Sequence, residues 1–431
     1  MTMTKIGKSS KSLQMNFFCL NDIVSTLIQA MHQREIFLKW FTFFLLSISH
    51  FSFAEVKSPY DLITPPITSL SSPQELTSDQ VLQDVNLLTE VFSKTFSGRF
   101  YFSEMQMNQF IQSLSAIHGK MTTFDFWFAI DDALLTIPDK HTAAIIFSNG
   151  HNLMTPHRMS QVRRPQVGKN KISDPSKVWE VSKVGANKDI ALIAITKFPS
   201  SQNPVWNTFI DSVRKNLQGT KASIIDLRSN SGGDDCFGME MAKVFWGGPF
   251  HHLVEKQSNN TSPEALAIFA NHFRLQAIET GQAEDTNSIP EKIVKSFTQQ
   301  LDQAITGAIP GIQIRPKFGS DKNAIVTQLG YQKPIYILID ALTASSGEFT
   351  TLAFSLNPYA KIFGENSAGY IHFGNAGKVL LPNSKIQVAI STQFNQLENN
   401  IFIEKVGITP TQSITPGIDA FDTALAALES L

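Results

Sequence analysis

The sequence predicts an α/β protein. A largely parallel sheet is covered by helices on both faces, preceded by a small helical module and interrupted by a helical insertion. Three observations predict this. The runs AAIIF, DIALIAITKF, KASIIDL, KPIYILID and AKIFGE are short, apolar and rich in β-branched residues, as strands buried on both faces are. Stretches with a 3.6-residue apolar period alternate with them, which is the βαβ pattern of a parallel sheet. At 431 residues, with 42% hydrophobic and 17% charged side chains, the chain can bury a large core over two or three domains.

Residues 1–54 read as a leader and an upstream extension. In REIFLKWFTFFLLSISHFSFA, Arg34 and Lys39 form the positive flank and Trp40 to Ile48 the apolar stretch. Ser52-Phe53-Ala54 is a small-x-small cleavage pattern. The apolar run is short for a bilayer span. A secretory signal cut after Ala54 implies a periplasmic or secreted protein with no stable membrane anchor; the alternative is a buried amphipathic helix. Met31 offers a second start, leaving residues 1–30 as an added extension. Cleavage would change the formal charge from −1 to −4 and remove Cys19, leaving Cys236 alone. No internal disulfide is then possible, and Cys236 is expected as a small core residue. The charge gives no sign of a nucleic-acid partner.

Residues 55–75, with Pro59, Pro65, Pro66 and Pro73, read as a linker. Residues 76–141 read as an N-terminal helical module. A Thr77/Gln80 capping box opens a helix with Val81, Val85, Leu88 and Phe92 on one face. Ser103/Gln106 repeats the device, and TFDFWFAIDDALLTI is apolar nearly all round. The core occupies residues 142–431. Within it, 203–219 is a helix with Trp206, Ile210, Val213 and Leu217 inward. Residues 255–330 carry two helices that interrupt the alternation, as a lid, cleft wall or oligomer contact would.

Four stretches could carry chemistry. In YILIDALTASSGEFTTLAFS, Ser345 and Ser346 stand where a buried strand hands over to a helix. Unpaired N–H groups and the positive end of the helix dipole stabilise negative charge there. Ser345 is then either a nucleophile or an ordinary helix N-cap. In DLRSNSGG, Gly232 and Gly233 allow close backbone approach and can offer N–H groups to an anion, or simply make a turn. IPDKHT places His141 at a strand entrance, and IEKVGITP places Glu404 near a turn. His251-His252 lacks a third ligand at useful spacing, so no metal or cofactor is expected. Sequons occur at Asn259 and Asn260.

Together these stretches resemble peptidase family S41, the tail-specific or C-terminal-processing proteases. The likeness is to the branch with the tricorn protease core and the interphotoreceptor retinoid-binding protein repeats. DKHT is similar to the family's D-x-H-T, and DLRSNSGG to D-L-R-x-N-x-G-G. LIDALTASSGEFTTLAF followed by IFGENSAG is similar to the nucleophile segment T-x-S-x-x-E with G-E-x-(S/T)-x-G. EKVGITP is similar to E-x-x-G-V-x-P. The resemblance implies a ClpP/crotonase-like core and a serine peptidase acting on peptides or proteins without a cofactor. Ser345 falls at the nucleophile position. The Ser346 amide, with Gly232 or Gly233, would form the oxyanion hole. Asp226, Arg228, Asn230 and Glu348 are the supporting motif residues.

The Ser–Lys branch has a lysine after the G-E-x-x-x-G stretch; here that place is Tyr370. The resemblance therefore implies the other arrangement, His141 as general base and Glu404 as its orienting carboxylate. Lys140 stands where the tricorn-like branch has a serine, which would weaken a relay to the carboxylate. Thr411 replaces an aspartate. About 45 residues between His141 and Asp189 leave no room for the PDZ domain of most processing proteases. Two further readings stay open: a ligand- or peptide-binding protein on the same fold, and a scaffold with a vestigial site.

Overall fold

The computed structural model describes residues 58–199, 203–248, 250, 253–315 and 330–431. The expected leader, His251-His252 and part of the insertion lie outside the described residues. Val56–Leu431 forms one unit by its internal contacts.

The helical module consists of α1 (Ser78–Thr95), α2 (Glu104–Ser115) and α3 (Thr123–Leu135). Both expected capping boxes are formed: Thr77 N–H donates to Gln80 Oε1 at 2.9 Å and Ser103 N–H to Gln106 Oε1 at 3.0 Å. Val81, Val85, Leu88 and Phe92 are fully or almost fully buried, each contributing about 1.5–3 kcal/mol. Phe124 at the head of α3 is 62% exposed, so that helix is not buried all round.

Strands β1 (Ala143–Ser148) and β2 (His151–Met154) form a hairpin, followed by the single-turn α4 (Pro156–Ser160), β3 (Trp179–Val184) and β4 (Ile190–Ile195). Then come α5 (Pro204–Leu217), β5 (Ala222–Asp226) and α6 (Asp235–Trp246). The insertion carries β6 (Val254–Asn260), α7 (Pro263–Glu279), α8 (Ile289–Ile305) and β7 (Ile312–Arg315). The chain closes with β8 (Ile335–Ile339), α9 (Ser346–Ser355), β9 (Ala360–Gly364), β10 (Phe373–Leu380), β11 (Gln387–Leu397), β12 (Gln412–Ser413) and α10 (Ala420–Glu429).

One six-stranded sheet has the order β12-β9-β8-β5-β4-β3, parallel throughout except for β3 at its edge. Its two faces alternate as the pleat requires. Ile193, Ile195, Ile225, Ile337 and Ile339 pack with α5, α6 and α9, including Trp206, Met239 and Phe354. Leu192, Ile224, Tyr336, Leu338 and Phe363 pack with α10 through Ala420, Phe421, Ala424 and Leu428. Both faces are covered, as the apolar runs predict.

The second sheet runs β2-β1-β11-β6-β7, with β10 also paired to β11. The helical module has no private core. Its α1 and α3 share one apolar cluster with β1, β10, β11 and α7, including Phe126, Ile146, Ile268, Phe373 and Ile390. Buried Asp84 of α1 accepts Asn383 N–H at 3.0 Å and Ser384 N–H at 2.8 Å from the β10–β11 turn. Residues 58–75 are docked rather than a free linker. Leu62 and Leu70 are buried, and Thr64 N–H donates to Asn271 Oδ1 at 2.8 Å.

Strand β6 corrects the expectation of a purely helical insertion. Its polar sequence VEKQSNN hides a strand whose buried amide groups are hydrogen-bonded rather than solvated. Asn260 Nδ2 donates to Lys94 O (2.8 Å) and Thr95 O (3.0 Å), closing the C-terminal end of α1. Both sequon asparagines are buried. Cys236, expected in the core, is exposed on the first turn of α6.

Candidate active site

The C-terminal ends of parallel strands β5 and β8 lie side by side, with Asp226 paired to Leu338. Such ends are where α/β sheets place their sites. Beyond β8, the chain is stitched to the turn after β5. Thr343 Oγ1 donates to Leu227 O (2.9 Å), Ser229 N–H to Asp340 Oδ1 (2.9 Å) and Ala344 N–H to Asn230 O (2.8 Å). Ser345 follows with φ 51° and ψ −117°. A non-glycine residue held there costs about 1–3 kcal/mol. Helix α9 starts at the next residue, so Ser345 stands at its positive end.

The turn Asp226–Gly233 is anchored by a buried ion pair. Arg228 sends Nε and NH2 to the Asp226 carboxylate at 2.9 and 2.8 Å, and NH1 to Asp419 at 2.7 Å. Burial pushes the Asp226 carboxyl up, against the pull of Arg228. These residues fix the turn. Asn230 is its hub: Nδ2 donates to Ile195 O and Oδ1 accepts Gly232 N–H, both at 2.9 Å.

Gly232 (φ +92°) presses on Ser345: a Cβ there would lie 2.9 Å from Ser345 Cβ and 3.4 Å from its Oγ. Gly233 (φ +136°) is required for another reason, since its Cβ would sit 2.3 Å from Phe198 O. The Ser346 hydroxyl is engaged, donating to Gly233 O at 2.6 Å. Gly232 N–H is taken by Asn230, whereas the N–H groups of Gly233 and Ser346 have no acceptor among the described residues.

Glu348, fully buried one turn into α9, ties Ser345 to the loop after β9. One carboxylate oxygen accepts Ser345 N–H (3.0 Å) and Tyr370 N–H (2.7 Å). The other accepts Gly369 N–H (2.7 Å) and the Ser367 hydroxyl (2.5 Å). Burial raises its pKa while these donors pull it down. The sequence marked Glu348 as a motif residue; its role as a four-way clamp needed the fold.

Tyr370 leads to His141. Its ring meets the His141 imidazole edge-on, with centroids 5.0 Å apart. Lys140 Nζ lies 4.5 Å from the Tyr370 centroid and donates to Ala368 O at 2.7 Å. Burial lowers the Lys140 pKa. Burial likewise lowers the His141 pKa, with Asp139 raising it and Lys140 lowering it further. His141 Nδ1 is buried without a hydrogen-bond partner.

Glu404 is 3% exposed and accepts three N–H groups: Lys140 (3.2 Å), Ile371 (2.9 Å) and His372 (2.8 Å). Burial, then the charge of Asp139, holds its carboxyl well above the ordinary range. The ligand-type atoms of Asp139, His141 and Glu404 all lie within 4.8 Å of one another. The chain thus brings His141 and Glu404 together across 262 intervening positions without a direct hydrogen bond between them. Sequence reasoning passed over Asp139, although it stands in the DKHT motif. It is buried, and its carboxylate accepts His141 N–H at 2.8 Å, fixing the backbone there.

Among the described residues, no helix is long and apolar enough to cross a membrane. No curated protein matches the chain. A protein of Parabacteroides merdae ATCC 43184 assigned as a peptidase superposes with a TM-score of 0.51 at 14% identity, over 80% of this chain and 96% of that one. Mature CPAF gives 0.49 at 14% identity over 82% and 95%, and the photosystem II D1 C-terminal processing protease 0.41 at 13% over 79% and 94%. At 14% identity the likeness to the Parabacteroides merdae protein is one of fold. The profile of Peptidase family S41 matches residues 189–414, more than half of the chain. That segment holds the Asp226–Gly233 turn, Ser345, Glu348 and Glu404. The chain belongs to peptidase family S41.

Proposed function

We propose that the protein is a periplasmic or secreted serine peptidase that cleaves peptide bonds through an acyl-enzyme on Ser345. The observation that carries this reading is the backbone of Ser345 at φ 51° and ψ −117°, with Gly232 against its side chain. An N-cap needs no such strain. Thr77 and Ser103 cap their helices from ordinary extended backbone, at φ −72° and −67°. Strain of this kind persists where function requires it, and a sharp strand-to-helix turn presents a nucleophile. A ligand-binding protein on the same fold has no use for it.

In this reading His141 takes the Ser345 Oγ proton as Oγ attacks the substrate carbonyl carbon, and the C–O bond of the tetrahedral adduct forms. The N–H groups of Gly233 and Ser346 receive the oxyanion, while Gly232, its own N–H already bonded, gives the close approach. The imidazolium returns the proton to the leaving amine as the C–N bond breaks, and water then hydrolyses the ester. Glu404 orients His141. Its raised pKa falls when an imidazolium forms beside it, so the pair titrates as a unit. Catalytic hydrogen bonds are often long before substrate binds, which fits the gap between His141 and Glu404. Lys140, with its ammonium on Ala368 O, takes no proton in this scheme.

Labelling with a fluorophosphonate probe tests the reading. Wild type is expected to label, Ser345→Ala not at all, and His141→Ala slowly with recovery in added imidazole. Unlabelled wild type, or unchanged labelling of Ser345→Ala, overturns it.

A further inference from the structure

Asp139 and Glu404 are 2% and 3% exposed, yet neither forms an ion pair with a lysine or arginine among the described residues. The nearby cations are engaged elsewhere. Lys140 Nζ donates to Ala368 O, Lys405 Nζ to Leu135 O at 3.4 Å, and Arg158 Nε to Asp131 at 2.8 Å. Beside the two carboxylates is His141, whose Nδ1 is buried and unpartnered. All three offer ligand atoms within 4.8 Å of one another. Buried carboxylates are ordinarily paired with a cation or bound to a metal. Here two cluster with an imidazole whose Nδ1 has no hydrogen-bond partner.

We propose that Asp139, His141 and Glu404 form a binding site for a divalent transition-metal cation of the zinc type, and that its occupation switches the peptidase off. One imidazole and two carboxylates are a zinc-type ligand set, with bonds of about 2.0–2.2 Å. Closing on the ion requires the three ligand atoms to move together by roughly an ångström. The backbone N–H groups on the two carboxylates hold them in place and leave lone pairs for the ion. Binding uses the lone pair of the neutral imidazole and leaves the ring's proton on its other nitrogen. The histidine then has no basic site left to take a proton from Ser345. The metal site rests on geometry alone; the inhibition rests on the peptidase reading above.

The test uses the untagged full chain, freed of metal with a chelator that is then removed. Co2+ is titrated while its visible d–d absorption is followed, and Zn2+ is added in competition. A single saturable Co2+ site is expected, bleached by Zn2+ and weakened at least tenfold in Asp139→Asn and in Glu404→Gln. Zn2+ is expected to raise the thermal unfolding temperature of wild type. Fluorophosphonate labelling is expected to fall at least tenfold at saturating Zn2+ and return with chelator. Wild type without a saturable Co2+ spectrum and without a Zn2+ thermal shift overturns the site, as does binding unchanged in both variants. Zn2+ binding that leaves labelling intact overturns the switch. If the metal-free protein never labels yet binds Co2+ through these residues, the site stands and the peptidase reading fails.

Discussion

Gly232 and Ser345 touch backbone to side chain: a methyl group at 232 would fall 2.9 Å from Ser345 Cβ. Gly232→Ala is therefore expected to push Ser345 out of line, beyond the strain of placing alanine at φ +92°. Misplacement by about an ångström costs on the order of 100-fold in rate, whereas stability falls by only about 1–3 kcal/mol. Labelling rate and thermal unfolding measured on one preparation check this. A variant that labels at the wild-type rate contradicts it.

Glu348→Gln is expected to destabilise strongly. The carboxylate accepts two donors at each oxygen, three of the four being backbone N–H groups. An amide turned either way sets its NH2 against at least one N–H. Hydrogen bonds to a buried charge are worth about 1.5–3 kcal/mol each, so a loss of about 3 kcal/mol is expected in denaturant unfolding. A loss below about 1 kcal/mol would mean the clamp is not structural.

Glu404 gives stability a particular pH dependence. Its carboxyl is raised by burial and by Asp139, so the folded state binds this proton more tightly than the unfolded chain. That contribution is fully present below the unfolded value of about 4.3 and is lost as pH climbs through the raised folded value. Glu404→Gln removes it. The stability of wild type relative to this variant is expected to be greater at pH 4 than at pH 8. The opposite slope contradicts the assignment.

Lys140 acts as a positioning residue. Its backbone N–H holds Glu404, its ammonium holds Ala368 and lies over Tyr370, and its charge lowers the His141 pKa. Burial already lowers His141, so the acid limb of the acylation profile is expected below the ordinary imidazole value of about 6.5. Lys140→Met is expected to move that limb to higher pH, and Lys140→Arg to restore it. Tyr370→Phe keeps the ring and is expected to leave the rate unchanged. A limb unmoved in Lys140→Met removes this role.

The parallel sheet was legible because β4, β5 and β8 are buried on both faces and so nearly all apolar. Strand β6 was not. Its buried polar groups are Gln257, Ser258, Asn259 and Asn260, on both faces, and their hydrogen-bond partners come from α1, β7 and β11, remote in sequence. Ser345 and the two glycines could be singled out from local motifs, since strand, turn and helix are adjacent there. The orphaned Nδ1 of His141 and the convergence of Asp139 on Glu404 could not. They depend on the turn after β11 folding back onto the entrance to β1, a contact that local sequence does not encode. The choice of Gly233 over Gly232 as a donor likewise rests on Asn230 occupying the Gly232 N–H.

The central claim is that Ser345 is the nucleophile, and the most direct measurement is where a fluorophosphonate becomes attached. Intact mass spectrometry of the metal-free chain followed by peptide mapping is expected to show one adduct per molecule, on Ser345. It should be absent from Ser345→Ala and retained in Ser346→Ala. No adduct on wild type, or an adduct mapped to any residue other than Ser345, contradicts the account.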